Sequence, residues 1–169
     1  STTNLFANLS RLQTVDFEGL NTSFVTNMSG MFSGCTQLRE LKNFGYMTTE
    51  RVINMNNMFQ NCSTLQSIDV KHFVTTKTEQ MDGMFRGMTN LQQIKGLQNF
   101  DTSKVWTMNN LFNGCQTLTE INTAHFDTSA VITMDGMFAD CKGMESFDLT
   151  NFDTSKVWNF KNLFNGCSG

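Results

Sequence analysis

The sequence contains no proline in 169 residues. Globular domains normally use proline freely in their loops, so this absence needs a structural cause. Charge is also sparse, since Asp, Glu, Lys and Arg make up 16% of the residues and the formal net charge is -3. A basic surface of the kind that attracts nucleic acids or anionic membranes is therefore not expected. No apolar run approaches the ~20 residues of a membrane span, so we expect no membrane insertion by this segment.

A signal peptide is also missing, which leaves a cytosolic chain, a processed chain or an excised domain. What is abundant is apolar, with 16 Phe, 12 Met and 5 Cys among 39% hydrophobic residues. A chain of this size and composition can bury a substantial core in one domain or two.

A strong internal repeat organises the chain. Residues 99–106 and 151–158 both read NFDTSKVW, and a Met/Leu-Phe pair starts repeats at residues 5, 31, 58, 84, 111, 137 and 163. The spacing is 26 or 27 residues, and the residue before the pair alternates between Gly and Asn. We predict one repeat domain over residues 1–169. Because neither end has the polar cap that solenoids need, we also expect a fragment of a longer protein.

Each repeat carries two local patterns. Val25, Met28, Phe32 and their apolar neighbours recur at helical spacing after Asn-Thr-Ser or Asp-Thr-Ser, which are N-cap residues. Leu65-x-x-Ile68-x-Val70 alternates like a short strand. The predicted fold class is an α/β solenoid, leucine-rich-repeat-like, of about six 26–27-residue turns with one short strand and one short helix each. Unequal spacing of strands and helices would make it curved.

The finer motif is M-x-x-M-F-x-x-C-x-x-L-x-x-L followed by F-D-T-S-x-V-x-x-M. It closely resembles the BspA-like class of leucine-rich repeats, in the Met-Phe/Asp-Thr-Ser version of bacterial surface lipoproteins and wall-anchored proteins. The resemblance covers all six repeats. It implies a secreted or cell-surface location and a role in adhesion or protein binding, and it implies no catalytic residues.

Three groups of side chains suggest chemistry, and each has a structural explanation. The cysteines share one column with Leu9 and Met88, which favours core thiols over a metal site or disulfides. His72 and His125 are register-equivalent and are interpreted as surface turn residues. Asp101, Asp127 and Asp153 form an acidic column that suits helix capping better than calcium. With no catalytic constellation in the sequence, we expect neither an enzyme nor a cofactor or metal.

The candidate binding residues fall into two sets. Trp106, Ile132 and Trp158 follow the helix valine in one column and, at ~100° per residue, would point away from the core. Exposed apolar rows mark contacts, although each Trp could instead lie sideways over the next turn. The strand face carries the second set: Arg39, Glu40, Gln66, Gln92, Gln93, Glu120 and Glu145. Beside them Asp16, Lys42, Asp69 and Lys95 alternate in sign, which predicts cross-strand charge pairs.

Two functions remain open at this point. The first is a surface or secreted module that binds a protein or glycan on a host or neighbouring cell. The second is a structural spacer or fibre-tip domain without its own ligand, which self-associates through Trp106 and Trp158.

Overall fold

The computed structural model describes residues 1–168 as a stack of coils, one for each sequence repeat. We number them coil 1 (5–30), coil 2 (31–57), coil 3 (58–83), coil 4 (84–110), coil 5 (111–136) and coil 6 (137–162). A column of parallel backbone bridges joins successive coils through one residue of each: Asn27, Asn54, Gln80, Thr107, Thr133 and Asn159. Each coil therefore hydrogen-bonds to the next one along this column.

A second side of the stack carries four short strands, β1 (Thr14–Asp16), β2 (Glu40–Lys42), β3 (Ser67–Asp69) and β4 (Gln93–Lys95). β1 pairs with β2 and β3 pairs with β4, both in parallel. Two 3-10 helices follow the even strands, η1 (Phe44–Tyr46) and η2 (Leu97–Asn99). They lie in coils 2 and 4 and take up the extra residue of the two 27-residue repeats. In coils 5 and 6 the corresponding residues form no strand.

The predicted helix in each turn is wrong, because residues 1–168 contain no α-helix. The segment 28–35 is a run of tight turns. Amides alternate between two partners along it: Met31 N–H donates to Met28 O within the coil, whereas Gly30 N–H donates to Asn56 O of the next coil. Gly30 and Gly34 have φ of 62° and 76°, as at the third position of type II turns. The prediction of curvature rested on unequal spacing between a strand layer and a helix layer. Without a helix layer that argument does not apply.

A column of phenylalanine rings forms the centre of the core. The rings belong to the invariant residue of each repeat: Phe6, Phe32, Phe59, Phe85, Phe112, Phe138 and Phe164. Neighbouring rings stack with centroids 5.3 to 6.1 Å apart and interplanar angles of 10° or less. Methionines fill the positions around them, and Met28, Met55 and Met81 are fully buried. The unbranched thioether adapts to the irregular gaps between stacked rings.

In coils 1 to 5 the invariant threonine joins its coil to the next one through its hydroxyl. Thr102 Oγ1 donates to Asp127 O at 2.9 Å and accepts from Asp127 N–H at 2.8 Å. Thr75 makes the same pair of bonds to Asp101 of the next coil. The buried hydroxyl both donates and accepts, so it replaces a pair of backbone groups. An apolar side chain of this size could do neither, and an ionised carboxylate could not donate.

The alternation of Gly and Asn also has a steric cause. Both residues occupy left-handed backbone positions, with φ of 56° at Asn110 and 60° at Gly136. A Cβ at Gly136 would lie 2.8 Å from Asn110 Oδ1 of the preceding coil. In the same way, a Cβ at Gly34 would lie 2.6 Å from Asn8 Oδ1 of the preceding coil. The amide of one coil thus fills the space of the side chain that the next coil lacks.

Candidate binding face

The column of parallel bridges fixes the row that contains both tryptophans. Trp106 N–H donates to Glu79 O at 3.1 Å, and Trp158 N–H donates to Ile132 O at 3.1 Å. Between the two tryptophans, Ile132 N–H donates to Trp106 O at 3.0 Å. Successive members of the row are therefore one strand spacing apart, about 4.8 Å.

The chain is extended across this row, so neighbouring side chains alternate between core and solvent. Val105 is fully buried, whereas Trp106 is 39% exposed and Trp158 is 74% exposed. The outward orientation of the tryptophans was predicted from helical geometry, and that reason is wrong. It follows instead from the two-residue period of extended backbone.

A second exposed row lies two residues before this one, in the turn that precedes each bridged segment: Val105 N–H donates to Thr102 O at 2.9 Å, so Lys104 lies within that turn. We call the two rows together the Trp face. Its first row consists of Phe24, Arg51, Lys77, Lys104, Ala130 and Lys156. Its second row consists of Thr26, Ile53, Glu79, Trp106, Ile132 and Trp158. The sequence reasoning missed the first row.

The cations of the Trp face are held in place by local contacts. The Arg51 guanidinium lies 5.0 Å from the centroid of the exposed Phe24 ring, within cation–π range. Lys104 Nζ donates to Thr76 O at 2.9 Å. Each lysine and arginine of the row is exposed, so its remaining donors face solvent.

The acidic column beside the Trp face closes turns. Asp101 Oδ1 accepts from Ser103 Oγ at 2.6 Å and from Ser103 N–H at 3.0 Å. These bonds from Ser103 lower the pKa of Asp101 below its usual value. Asp127 and Asp153 accept in the same way from the serine two residues on. The predicted helix caps are therefore turn caps, and residues 1–168 hold no group of three or more His, Cys, Asp or Glu side chains suited to a metal ion.

The second predicted set lies on a different face, formed by β1–β4 and the segments that follow. Arg39 and Glu40 line a cleft of about 430 Å³ between coils 2 and 3, where β2 and β3 share no ladder. The equivalent opening between coils 4 and 5 has a volume of about 270 Å³. Its lining includes Gln92, Gln93 and Glu120. Gln66 lies beside Arg39 in a further surface depression, and Glu145 is exposed.

The predicted cross-strand charge pairs are not formed as ion pairs. Asp16 lies opposite Lys42 and Asp69 opposite Lys95 in the strand register. Within residues 1–168 the two ion pairs of 4.0 Å or less join Lys42 to Glu40 and Lys71 to Asp69, both inside one coil. The alternating charges therefore stabilise the register only at longer range.

The two histidines differ in surroundings. His72 is half-buried in the cleft between coils 2 and 3, edge-on to Phe44 at 4.9 Å and to Phe73 at 5.0 Å. Burial lowers the pKa of His72 below its usual value. His125 is exposed. The interpretation as surface turn residues therefore fits His125 better than His72.

The cysteines are free thiols in the core column. Cys62 Sγ donates to Phe32 O of the preceding coil at 3.2 Å, and the other four cysteines make the equivalent bond. Burial raises the pKa of Cys141 to about 12. A buried thiol with a raised pKa is a poor nucleophile and a poor metal ligand.

Comparison with known proteins identifies a family. The family model described as "Mycoplasma protein of unknown function, DUF285" matches residues 1–97 and 89–169. The chain belongs to the DUF285 family. The two matches overlap around β4 and η2, so this DUF285 chain spans the family unit twice in tandem. No curated protein and no solved structure matches it. None of the described residues of this DUF285 chain forms a helix long and apolar enough to cross a membrane.

Proposed function

We propose that this chain is the binding module of a secreted or surface-anchored protein and that it holds a macromolecular partner on its Trp face. The observation that carries the proposal is the row of exposed Trp106, partly exposed Ile132 and exposed Trp158 on a continuous backbone ladder. Large apolar side chains in an exposed row mark contact surfaces, and tryptophan is enriched among the residues that dominate binding energy. The motif's resemblance to BspA-like repeats of bacterial surface proteins supports the same location and role.

The rigidity of the row favours binding further. Every member is fixed by a backbone hydrogen bond to its neighbour, so little conformational entropy is lost when a partner covers it. Trp158 is the most exposed large side chain of the row at 74%. A side chain of that size left in water is costly for a monomer and useful for a contact.

The test is an array of extracellular-matrix proteins and glycans probed with the native chain and with Trp106→Ala/Trp158→Ala. We expect spots that bind the native chain and lose most of their signal with the double variant. Tyr46→Ala is the matched control, because Tyr46 is 64% exposed and lies in η1, away from the Trp face. An array without a bound spot, or one on which the double variant binds as well as the native chain, would contradict the proposal.

Light scattering separates a foreign partner from a second copy of the chain. The proposal expects a monomer in both the native and the doubly substituted forms. A native dimer that becomes a monomer on removal of both tryptophans would show that the Trp face is occupied by self-association, and the proposed function would then be wrong.

A further inference from the structure

The Trp face has a period of two coils. In each even coil a cation and a large apolar side chain stand on either side of a valine, which is fully buried in coils 2 and 4 and partly buried in coil 6. These pairs are Arg51 with Ile53, Lys104 with Trp106, and Lys156 with Trp158. Odd coils break the pattern, with Phe24 and Thr26, Lys77 and Glu79, and Ala130 and Ile132. The three even pairs therefore form equivalent subsites at regular intervals along the stack.

The geometry of one subsite is fixed by the buried residue between its members. Lys104 lies in the turn that Val105 N–H closes on Thr102 O, and Trp106 begins the bridged segment, so both exposed side chains flank the fully buried Val105. Since coils step by about 4.8 Å, equivalent subsites lie about 10 Å apart. A ligand that engages all three must present the same groups at that interval.

The cations of the subsites are free to pair with an anion. Among residues 1–168 the ion pairs involve Lys42 and Lys71 only, so Arg51, Lys104 and Lys156 have no carboxylate within 4.0 Å. In coil 3, by contrast, Lys77 and Glu79 place opposite charges on the same face. Coils 2, 4 and 6 are thus the coils that offer a cation beside a large apolar side chain and no carboxylate in the second row.

We propose that the Trp face binds a linear acidic polysaccharide in which a uronic acid alternates with an N-acetylhexosamine, lying along the stack. This inference rests on the proposed function and names its partner class. A β-linked chain turns over at each sugar, so the same ring face and the same carboxylate recur at every disaccharide, a length close to the two-coil step. Its carboxylates would meet Arg51, Lys104 and Lys156, and its rings would lie on Ile53, Trp106 and Trp158.

Two other partner classes fit the surface less well. A nucleic acid carries a phosphate at every nucleotide, a denser charge than one cation and one apolar side chain at every second coil would match. The surface of a globular protein does not repeat at a two-coil interval. A partner of that kind would not explain why the pairs of a cation and a large apolar side chain occur in even coils.

The experiment titrates the chain with hyaluronan oligosaccharides of increasing length, followed by calorimetry and tryptophan fluorescence. We expect affinity to rise with length until three disaccharides span the three subsites and then to level off. Added salt should weaken binding because the ion pairs are exposed. Affinity that is independent of both length and salt would overturn the proposal.

Matched variants locate the contact. Lys104→Gln/Lys156→Gln and Trp106→Ala/Trp158→Ala should each weaken hyaluronan binding by about tenfold or more, equivalent to about 1.4 kcal/mol. Lys42→Gln/Lys95→Gln removes the same charge from the strand face, on β2 and β4, and it should leave affinity within about twofold. Circular dichroism of all three variants should match the native chain, because the replaced side chains are exposed. An equal loss in the control pair would overturn the proposal, since bulk charge would then explain binding.

Neutral chitin oligosaccharides of the same lengths test the need for the carboxylate. They should bind at least about tenfold more weakly than hyaluronan. Equal binding of both would overturn the proposed partner. If hyaluronan does not bind while the array still shows a spot that depends on Trp106 and Trp158, the polysaccharide proposal fails and the proposed function stands. If the array is blank as well, both fail.

Discussion

Asp82 is a partly buried carboxylate that accepts hydrogen bonds from the next coil. Its Oδ1 accepts from Thr107 Oγ1 and, at 2.7 Å, from Asn109 N–H. Asn56 and Asn109 occupy the same column and make equivalent bonds through neutral side chains. Burial raises the pKa of Asp82 above its usual value, whereas Ser103 holds the pKa of Asp101 below it. The two residues therefore give stability opposite dependences on pH.

The sign of each contribution follows from linkage. Folding favours the protonated form of Asp82, so its contribution is present below the unfolded-state pKa of about 3.9 and is lost as pH rises through the higher folded-state value. Folding favours the ionised form of Asp101. Its contribution is present above about 3.9 and is lost as pH falls through the lower folded-state value.

We predict that Asp82→Asn makes the chain more stable at pH 7, because the amide accepts the same bonds without a buried charge. The difference from the native chain should shrink toward pH 4. Asp101→Asn should lower stability at pH 7, and that difference should shrink as pH falls. Urea midpoints measured across this range check both variants. A loss of stability at neutral pH in Asp82→Asn would show that its charge is compensated in the fold.

At the scale of elements, the turn segment shows where sequence reasoning succeeded and where it failed. Burial of Met28, Met31 and Phe32 was predictable, because apolar residues recur there in every repeat. The helix was wrong because tight turns at this spacing bury the same side chains. Gly30 and Gly34 were the available signal, since glycine and asparagine twice in one short segment are typical of left-handed turn positions and unfavourable in helix interiors.

Part of the candidate site could also be predicted from the sequence, and part could not. The exposure of the Trp106 row could be anticipated from its place beside a buried column. The cation row was not recognised under a helical period, because Lys104 and Trp106 would lie on different sides of a helix. In the structure Lys104 lies in a turn and Trp106 begins the bridged segment, so both flank the buried Val105. The error in the local period therefore hid half of the Trp face.

The steric relation between Asn110 and Gly136 gives a prediction at this scale. Gly136→Ala should cost about 1–3 kcal/mol from overpacking against Asn110, beyond the strain of a left-handed alanine. Gly19→Ala is the matched control, since Gly19 has φ of 78° and nothing within 4 Å of the added Cβ. In an Asn110→Gly background the excess cost of Gly136→Ala should disappear. Denaturant unfolding of the four-member cycle measures the coupling, and a coupling of zero would mean that the alternation has another cause.

At the scale of the whole molecule, the stack is continuous on one side and divided on the other. The bridge column runs through all six coils, whereas the strands pair only within coils 1 and 2 and within coils 3 and 4. Where the strands do not pair, a threonine side chain bonds to the backbone of the neighbouring coil. Thr64 Oγ1 donates to Leu38 O between coils 2 and 3, and Thr117 Oγ1 donates to Leu91 O between coils 4 and 5, each at 2.7 Å. The structural unit is therefore a pair of coils.

Thiol reactivity reports how this stack opens. Cys35, Cys62, Cys115 and Cys141 are buried, whereas Cys167 is only partly so. At pH 8 we expect Ellman's reagent to modify Cys167 quickly and the other four slowly, because burial raises their pKa values and blocks access. Cys167→Ser should remove the fast phase alone. Unfolded protein without added oxidant should titrate five thiols, and a lower number would mean that some cysteines pair.

The amide that fills the space above each glycine has a consequence for inheritance. Recombination that removes or adds one coil would set asparagine against asparagine or glycine against glycine at the new junction, so that two amides would compete for one space or the space would stay unfilled. Events that move two coils together restore the complementary order, as glycine again follows asparagine. Viable length variants of such a gene are therefore expected to differ by steps of about 53 codons, the sum of one 26-residue and one 27-residue repeat.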